Sequence, residues 1–119
     1  MLNGQLALVT GASRGIGQAI ALELGKAGAI VVGTATTADG AAKIGAYLAD
    51  AGIKGKGAAL EVRDPAQVDA LVAEIEREFG VAVTILVNNA GITRDNLAMR
   101  MKDDEWDAVI DTNLKSVFR

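Results

Sequence analysis

The feature that most constrains the fold is a cluster of glycines between an apolar run and an amphipathic segment. Residues 6–10 form a short apolar run typical of a buried parallel strand, and Gly11, Gly15 and Gly17 follow it. From Gly15 to Ala27, apolar residues recur at a spacing of three and four, which predicts a helix. This arrangement favours dinucleotide binding, because the backbone can approach a pyrophosphate at the helix N-terminus. An ordinary glycine-rich turn is the alternative.

The rest of the chain alternates between predicted strands and helices. Further strands are predicted at residues 30–34, within 57–62 and at 83–87, and further helices at 41–51 and 65–79. Asp64 and Pro65 mark the start of the last of these helices as N-cap and first position, and Gly80 marks its end. Such alternation predicts a doubly wound parallel sheet in three α/β/α layers, with strand order 3-2-1-4.

The end of the chain predicts one more helix. It begins near residues 102–105 and has an apolar stripe, whose members are Trp106, Val109, Ile110, Leu114 and Val117. No stop signal follows, so residues 1–119 are expected to be a single domain truncated after the fourth strand and its following helix. The fourth strand would then have an uncovered edge. Alternatively, the stripe is the partner-binding face of a non-catalytic nucleotide-binding or interaction module.

Composition excludes several classes of function. The 119 residues contain no Cys and no His, so we expect no disulfide, no histidine base and no metal site. A net charge of −3 without a basic stripe argues against nucleic acid as a partner. No apolar run approaches the roughly 20 residues that span a bilayer, and the start has no signal-peptide pattern. We therefore expect a cytoplasmic protein with no membrane partner.

The residues after the second strand favour NADPH over NADH. A chain that binds NAD usually has an acidic residue there to hold the ribose 2′-hydroxyl, but residues 33–37 contain none. Arg14 lies in the glycine loop, and guanidinium pairs well with a 2′-phosphate. The pattern predicts NADPH, with Arg14 and Thr36 as contacts. Alternatively, Arg14 is a solvated loop charge.

Two motifs together resemble the short-chain dehydrogenase/reductase family. The pattern T-G-x-x-x-G-x-G stands at residues 10–17 and N-N-A-G at residues 88–91, and the resemblance covers the whole chain. Residues 88–97 and 99–103 also resemble the members of that family that reduce β-ketoacyl groups. The resemblance implies a Rossmann-type fold and NADPH-dependent reduction of acyl-carrier-protein-bound thioesters in fatty acid synthesis. It also implies a homotetramer when complete. A short-chain reductase for acetoacetyl-CoA, a sugar or a steroid is the alternative.

The resemblance also implies a set of cofactor-binding residues. They are Gly11, Ala12, Ser13, Arg14, Gly15, Ile16, Gly17, Thr36, Glu61, Val62, Asn89, Ala90 and Gly91. Those before residue 40 match the phosphate and ribose contacts, and the last three follow the nicotinamide ribose. Glu61 and Val62 match a pair beside the adenine. Glu61 departs from the family, which more often has Asp or Asn there.

Asn113 is the one catalytic residue that the resemblance implies within this chain. It is a polar residue on an apolar stripe, and a buried amide must find hydrogen-bond partners. The resemblance implies that it belongs to an Asn-Ser-Tyr-Lys tetrad, whose other members would follow it. An amide that bonds a neighbouring backbone is the alternative. The chain's single tyrosine, Tyr47, has no Lys four residues on and is interpreted as a packing residue. The 119 residues alone are therefore predicted to be inactive.

Overall fold

A computed structural model of the chain describes residues 1–89, 98–102 and 106–111, the last two ranges as backbone strands. The elements in chain order are β1 (Leu6–Val9), α1 (Gly15–Lys26), β2 (Ile30–Ala35), α2 (Ala38–Asp50), β3 (Gly55–Ala59), α3 (Pro65–Phe79), β4 (Val83–Asn88), β5 (Ala98–Lys102) and β6 (Trp106–Asp111). Within these ranges, no helix combines the length and the apolar character needed to cross a membrane.

The strands form one sheet in the order β3-β2-β1-β4-β5-β6. The first four pair in parallel, with β1 between β2 and β4. This confirms the predicted doubly wound fold and its strand order. Because the chain moves outward from β1 through β2 to β3 and then returns to the other side of β1, the strand order reverses between β1 and β4.

The prediction of a helix after β4 is wrong over residues 106–111, which form strand β6. Strand β5 pairs antiparallel with β4 and β6 pairs antiparallel with β5, so the edge of β4 is not uncovered either. The physical reason is twofold. Pairing satisfies the backbone groups that an open β4 edge would expose, and the residues of this segment fit a period of two as well as a helical one. The remaining part of the predicted helix lies outside the described residues.

The parallel strands are buried on both faces, which explains why they read as continuous apolar runs. From β1, Ala7 and Val9 pack with α1 and α2, whereas Leu6 and Leu8 pack with α3. The helices contribute the fully buried side chains Ile20, Leu24, Ile44, Leu48 and Ile75. Burial of each such side chain stabilises the fold by roughly 1.5–3 kcal/mol. The three predicted layers are therefore present.

Local capping sets the helix boundaries. Helix α2 begins three residues earlier than predicted, because Thr37 Oγ1 accepts a hydrogen bond from the Gly40 amide (3.0 Å). Helix α3 has the predicted ends: Asp64 accepts from the Ala66 amide (3.0 Å), Pro65 follows it, and Gly80 is the left-handed C-cap.

Candidate functional site

The carboxyl ends of the four parallel strands meet at one edge of the sheet. Thr10 follows β1, Thr36 follows β2, Glu61 lies two residues after β3, and Asn89 follows β4. Ligands of doubly wound sheets bind outside this edge, near the point where the strand order reverses. The fold thus brings the predicted residues of four separate segments together. Three predicted residues, Ala90, Gly91 and Asn113, lie outside the described residues.

The glycine loop has the backbone conformation that its sequence predicts. Gly11 has φ +63° and Gly15 has φ +61°, both in the left-handed region that other residues rarely adopt. A Cβ added at Gly15 would meet no atom of the described residues within 4 Å. Gly15 therefore gives the loop its shape and leaves open space in front of its backbone.

Gly17 is required by close contact within the site. A Cβ there would overlap the Gly11 carbonyl oxygen and lie 2.7 Å from Asn89 Nδ2. A glycine at this position of the motif is expected to let helix α1 pack closely on the sheet. The contact is more specific, because α1 approaches both the glycine loop and the segment after β4.

Hydrogen bonds tie the segment after β4 to the glycine loop. The Asn89 amide N–H donates to Thr10 Oγ1 (3.0 Å), and Asn89 Nδ2 donates to the Gly11 carbonyl (2.9 Å). The Thr10 amide donates to the Val87 carbonyl (3.0 Å). The two sequence motifs are therefore one hydrogen-bonded unit, and the Asn89 side chain faces the loop, which the motif alone does not reveal.

Tyr47 makes a contact with the site that sequence reasoning missed. Its hydroxyl donates to the Ala12 carbonyl (2.6 Å), and burial raises its pKa to about 12. The interpretation of Tyr47 as a packing residue was therefore incomplete. The available signal was an amphipathic side chain on the apolar stripe of α2, since a buried tyrosine hydroxyl usually finds a partner.

The start of α1 is open to an anion. Arg14 precedes the helix with an extended backbone, and its side chain makes no capping hydrogen bond to the first turn. Arg14 is exposed, and no described carboxylate forms an ion pair with it. Ile16 is also 44% exposed. Free N–H groups and the helix dipole favour negative charge at this position.

The end of β2 carries hydroxyls and no acid. The strand is buried along its length, and Thr36 is the first exposed residue after it. Thr37 is engaged as the N-cap of α2. Asp39 lies in the first turn of α2 and is exposed. The position that would hold a ribose 2′-hydroxyl in an NAD site therefore lacks a carboxylate.

Glu61 is held by a neighbour in the chain. Its carboxylate accepts hydrogen bonds from the Arg63 amide (3.0 Å), Nε (3.2 Å) and Nη2 (3.1 Å). The hydrogen bonds from Arg63 lower the pKa of Glu61 to about 2, so the carboxylate stays charged. Both side chains are exposed to water.

An apolar cavity of about 140 Å³ adjoins the same edge of the sheet. Its lining includes Val62 from the segment after β3, Thr10 from the end of β1 and Asn88 from the end of β4. A small flat group entering from this edge would meet apolar walls with polar atoms at the rim. This lining matches the mix of many apolar walls and few polar groups that is typical of ligand sites.

Comparison with known proteins agrees with this geometry. A sequence model of the family described as "short chain dehydrogenase" matches residues 5–119. The 3-oxoacyl-acyl-carrier-protein reductase of Salmonella typhimurium is 61% identical over 116 residues, which are 98% of this chain and 46% of that protein. The reductase of the same name from Escherichia coli is 60% identical over 116 residues, with the same two coverages.

The corresponding reductase of Pseudomonas aeruginosa is 58% identical over 118 residues, which are 99% of this chain and 47% of that protein. The chain thus spans about half the length of the curated relatives it matches. The family match extends over nearly all of the chain and includes both motifs at the sheet edge. The chain therefore belongs to the short-chain dehydrogenase family.

Proposed function

We propose that the protein containing this chain is an NADPH-dependent oxidoreductase that reduces β-ketoacyl-acyl-carrier-protein to the β-hydroxyacyl form. Residues 1–119 are its NADPH-binding part. The relatives named above support the substrate, since their names state action on 3-oxoacyl groups of acyl carrier protein. The observation that carries the proposal is the uncapped start of α1 beside the open backbone of Gly15.

The residues present fit a dinucleotide with a 2′-phosphate. The first turn of α1 would receive the pyrophosphate, because its N–H groups are not used by a side-chain cap. Arg14 and Thr36 would hold the 2′-phosphate, since both are exposed and no described carboxylate pairs with Arg14. When bound, NADPH supplies a hydride for the β-carbonyl carbon. The absence of an acid after β2 favours NADPH over NADH.

The adenine and nicotinamide ends of the site are also part of the proposal. Val62 would contact the adenine from the wall of the apolar cavity. Glu61 would lie beside the adenine with its carboxylate engaged by Arg63. Its amide donates to Gln67 Oε1 and its carbonyl accepts from the Asp64 amide. Ala90 and Gly91 would follow the nicotinamide ribose, and Asn113 would take part in proton transfer through its backbone carbonyl.

The proposal extends to the complete protein. Residues 1–119 would be an incomplete domain, and the Ser, Tyr and Lys that complete the catalytic group would follow Asn113. The residues of this chain would bind and orient NADPH, and the isolated 119 residues would be inactive. We propose a cytoplasmic homotetramer whose protein partner is the acyl carrier protein.

An activity assay on the full-length protein tests the substrate. NADPH consumption is followed with acetoacetyl-acyl-carrier-protein and with acetoacetyl-CoA at equal concentrations. We expect a higher kcat/KM for the carrier-bound substrate. Activity on acetoacetyl-CoA without activity on the carrier-bound thioester would instead indicate a different short-chain reductase.

The Arg14→Leu variant tests the cofactor part of the proposal. Loss of a charge-assisted hydrogen bond to phosphate should raise the KM for NADPH by about 10- to 100-fold and leave the KM for NADH unchanged. Arg77→Leu is the matched control, because Arg77 is exposed in the last turn of α3 at the opposite edge of the sheet. An equal effect of both variants would contradict the assignment of Arg14.

A further inference from the structure

Helix α2 forms a hydrogen bond with the glycine loop through the hydroxyl group of Tyr47. This hydroxyl donates to the Ala12 carbonyl (2.6 Å), although the two residues are 35 positions apart. We propose that Tyr47 is a positioning residue that holds the glycine loop in the shape that binds NADPH. The inference rests on the proposed function, because it assigns a residue to the cofactor site proposed above.

The Ala12 peptide is held by three neighbouring groups. Its N–H donates to the Thr34 carbonyl of β2 (2.8 Å), and its carbonyl accepts from Tyr47. Its side chain is fully buried, and a Cβ at Gly33 would lie 2.9 Å from the Ala12 Cβ. The residue between Gly11 and Ser13 is thus fixed by β2 on one side and by α2 on the other.

The hydrogen bond also determines the direction in which the Ala12 carbonyl oxygen points. An oxygen that accepts a bond from a half-buried hydroxyl of α2 is directed at that helix. Without this partner the carbonyl would need another donor, and its negative end could turn towards the anion-binding side of the loop. Tyr47 therefore both orders the loop and keeps a repulsive oxygen away from the pyrophosphate.

Helix α2 joins the two phosphate contacts of the site. Its N-cap, Thr37, directly follows Thr36, the proposed contact to the 2′-phosphate. Farther along the same helix, Tyr47 contacts Ala12 of the glycine loop, which leads into the first turn of α1, the proposed pyrophosphate site. The hydroxyl therefore sets the spacing between the 2′-phosphate side and the pyrophosphate side. A loop that is ordered before binding does not have to be ordered by the ligand, which improves affinity.

The tyrosine hydroxyl is suited to a constant role as a donor. Burial raises the pKa of Tyr47 to about 12, so the hydroxyl keeps its proton throughout the neutral range. It contacts the loop backbone and no group of the proposed reaction, so its role is positioning and not proton transfer.

The Tyr47→Phe variant of the full-length protein tests the proposal. The ring and its packing remain, and only the hydrogen bond is lost. We expect the KM for NADPH to rise by about three- to tenfold, as the loss of one hydrogen bond implies, with kcat unchanged at saturating NADPH. NADPH affinity measured by calorimetry should fall by the same factor.

Thr84→Val is the matched control. The Thr84 hydroxyl donates to Gln5 Oε1 (3.0 Å), it is also partly buried, and it lies near the amino end of β4, away from the loop. Its loss should lower the melting temperature about as much as Tyr47→Phe does, without changing the KM for NADPH.

Three outcomes would overturn the proposal. If the wild type binds NADPH and Tyr47→Phe binds it equally well, Tyr47 has no positioning role while the proposed function stands. If Thr84→Val raises the KM as much as Tyr47→Phe, the effect is general destabilisation. A wild type that fails to bind NADPH at all would overturn the proposed function as well.

Discussion

The two faces of the sheet differ in how completely the described residues cover them. On the face of α1 and α2, the side chains of Ile20, Leu24, Ile44 and Leu48 have at most 1% of their surface exposed. On the face of α3, two adjoining cavities of about 240 and 140 Å³ lie between that helix and the sheet. We call the face of α1 and α2 the filled face and the face of α3 the open face. The glycine loop is thus anchored on the filled face, where few alternative positions are open to it.

Glycines make the filled face possible. A Cβ at Gly33 would lie 2.8 Å from Ile44 Cγ2, and a Cβ at Gly25 would lie 2.7 Å from Ile53 Cγ1. Gly17 makes the corresponding close approach to the glycine loop. Close packing restricts the positions and conformations that are open to each neighbouring residue. The shape of the glycine loop therefore depends on residues well outside its motif.

The largest expected effect on NADPH binding comes from Gly17→Ala. The new Cβ would overlap the Gly11 carbonyl, so we expect a loss of about 1–3 kcal/mol in the free energy of unfolding together with loss of NADPH binding. Gly45→Ala in α2 is the control. A Cβ there would have only one neighbour within 4 Å, at 3.9 Å, so it should stabilise the helix by about 0.5–1 kcal/mol. Normal NADPH affinity in Gly17→Ala, measured by calorimetry, would contradict the filled-face account.

The second prediction compares equal truncations on the two faces. Leu48 is 1% exposed on the filled face, and Leu48→Ala should cost about 2–5 kcal/mol in urea unfolding. Leu86 is partly buried and lines both cavities of the α3 face, so Leu86→Ala should cost only about 1–2 kcal/mol. If the two variants lose equal stability, the faces do not differ in packing as described.

The smallest effect concerns an ion-pair cluster that joins β3 to α3 on the open face. Lys56 Nζ lies 2.7 Å from Glu78 and 2.9 Å from Glu74. Lys56→Met should lose less stability than Leu86→Ala, and high salt should remove most of the difference from wild type. Lys43→Met, which changes an exposed α2 lysine with no ion pair among the described side chains, should have no effect.

The pH dependence of this cluster has a definite sign. Hydrogen bonds that Lys56 donates to Glu78 and then to Glu74 raise the pKa of Lys56 above 10.5, and the hydrogen bond that Glu74 accepts from Lys56 lowers the pKa of Glu74 below 4.5. The cluster therefore contributes fully between these two values. Its contribution is lost as the pH falls through the lowered pKa of Glu74 or rises through the raised pKa of Lys56. If the difference in unfolding free energy between Lys56→Met and the wild type grows outside this pH range, the assignment is contradicted.

The parts of the fold that sequence predicts well are those with local causes. Asp64 and Pro65 start α3 through their own capping and backbone geometry. Gly11 and Gly15 have the positive φ angles that their position in the loop implies. The strand order follows from the alternation of strands and helices, because right-handed crossovers leave few other arrangements.

The parts that sequence does not predict depend on distant partners. The backbone of residues 106–111 pairs with β5, and that pairing competes with a helical pattern that is equally visible in the sequence. Tyr47 finds its acceptor 35 positions away. Asn89 lies in a recognised motif, but its bond to Gly11 exists only because β4 lies beside β1. The contact between Glu61 and Arg63 could have been predicted from the sequence, because the two residues are only two positions apart.

We propose that the carboxyl edge of this sheet binds NADPH in preference to NADH. The most direct test is calorimetric titration of the full-length wild-type protein with each nucleotide at the same salt concentration. We predict that NADPH binds at least about tenfold more tightly, as a charge-assisted contact to the 2′-phosphate implies. Equal affinities for NADPH and NADH would contradict the roles assigned to Arg14 and Thr36 and, with them, the account of the site.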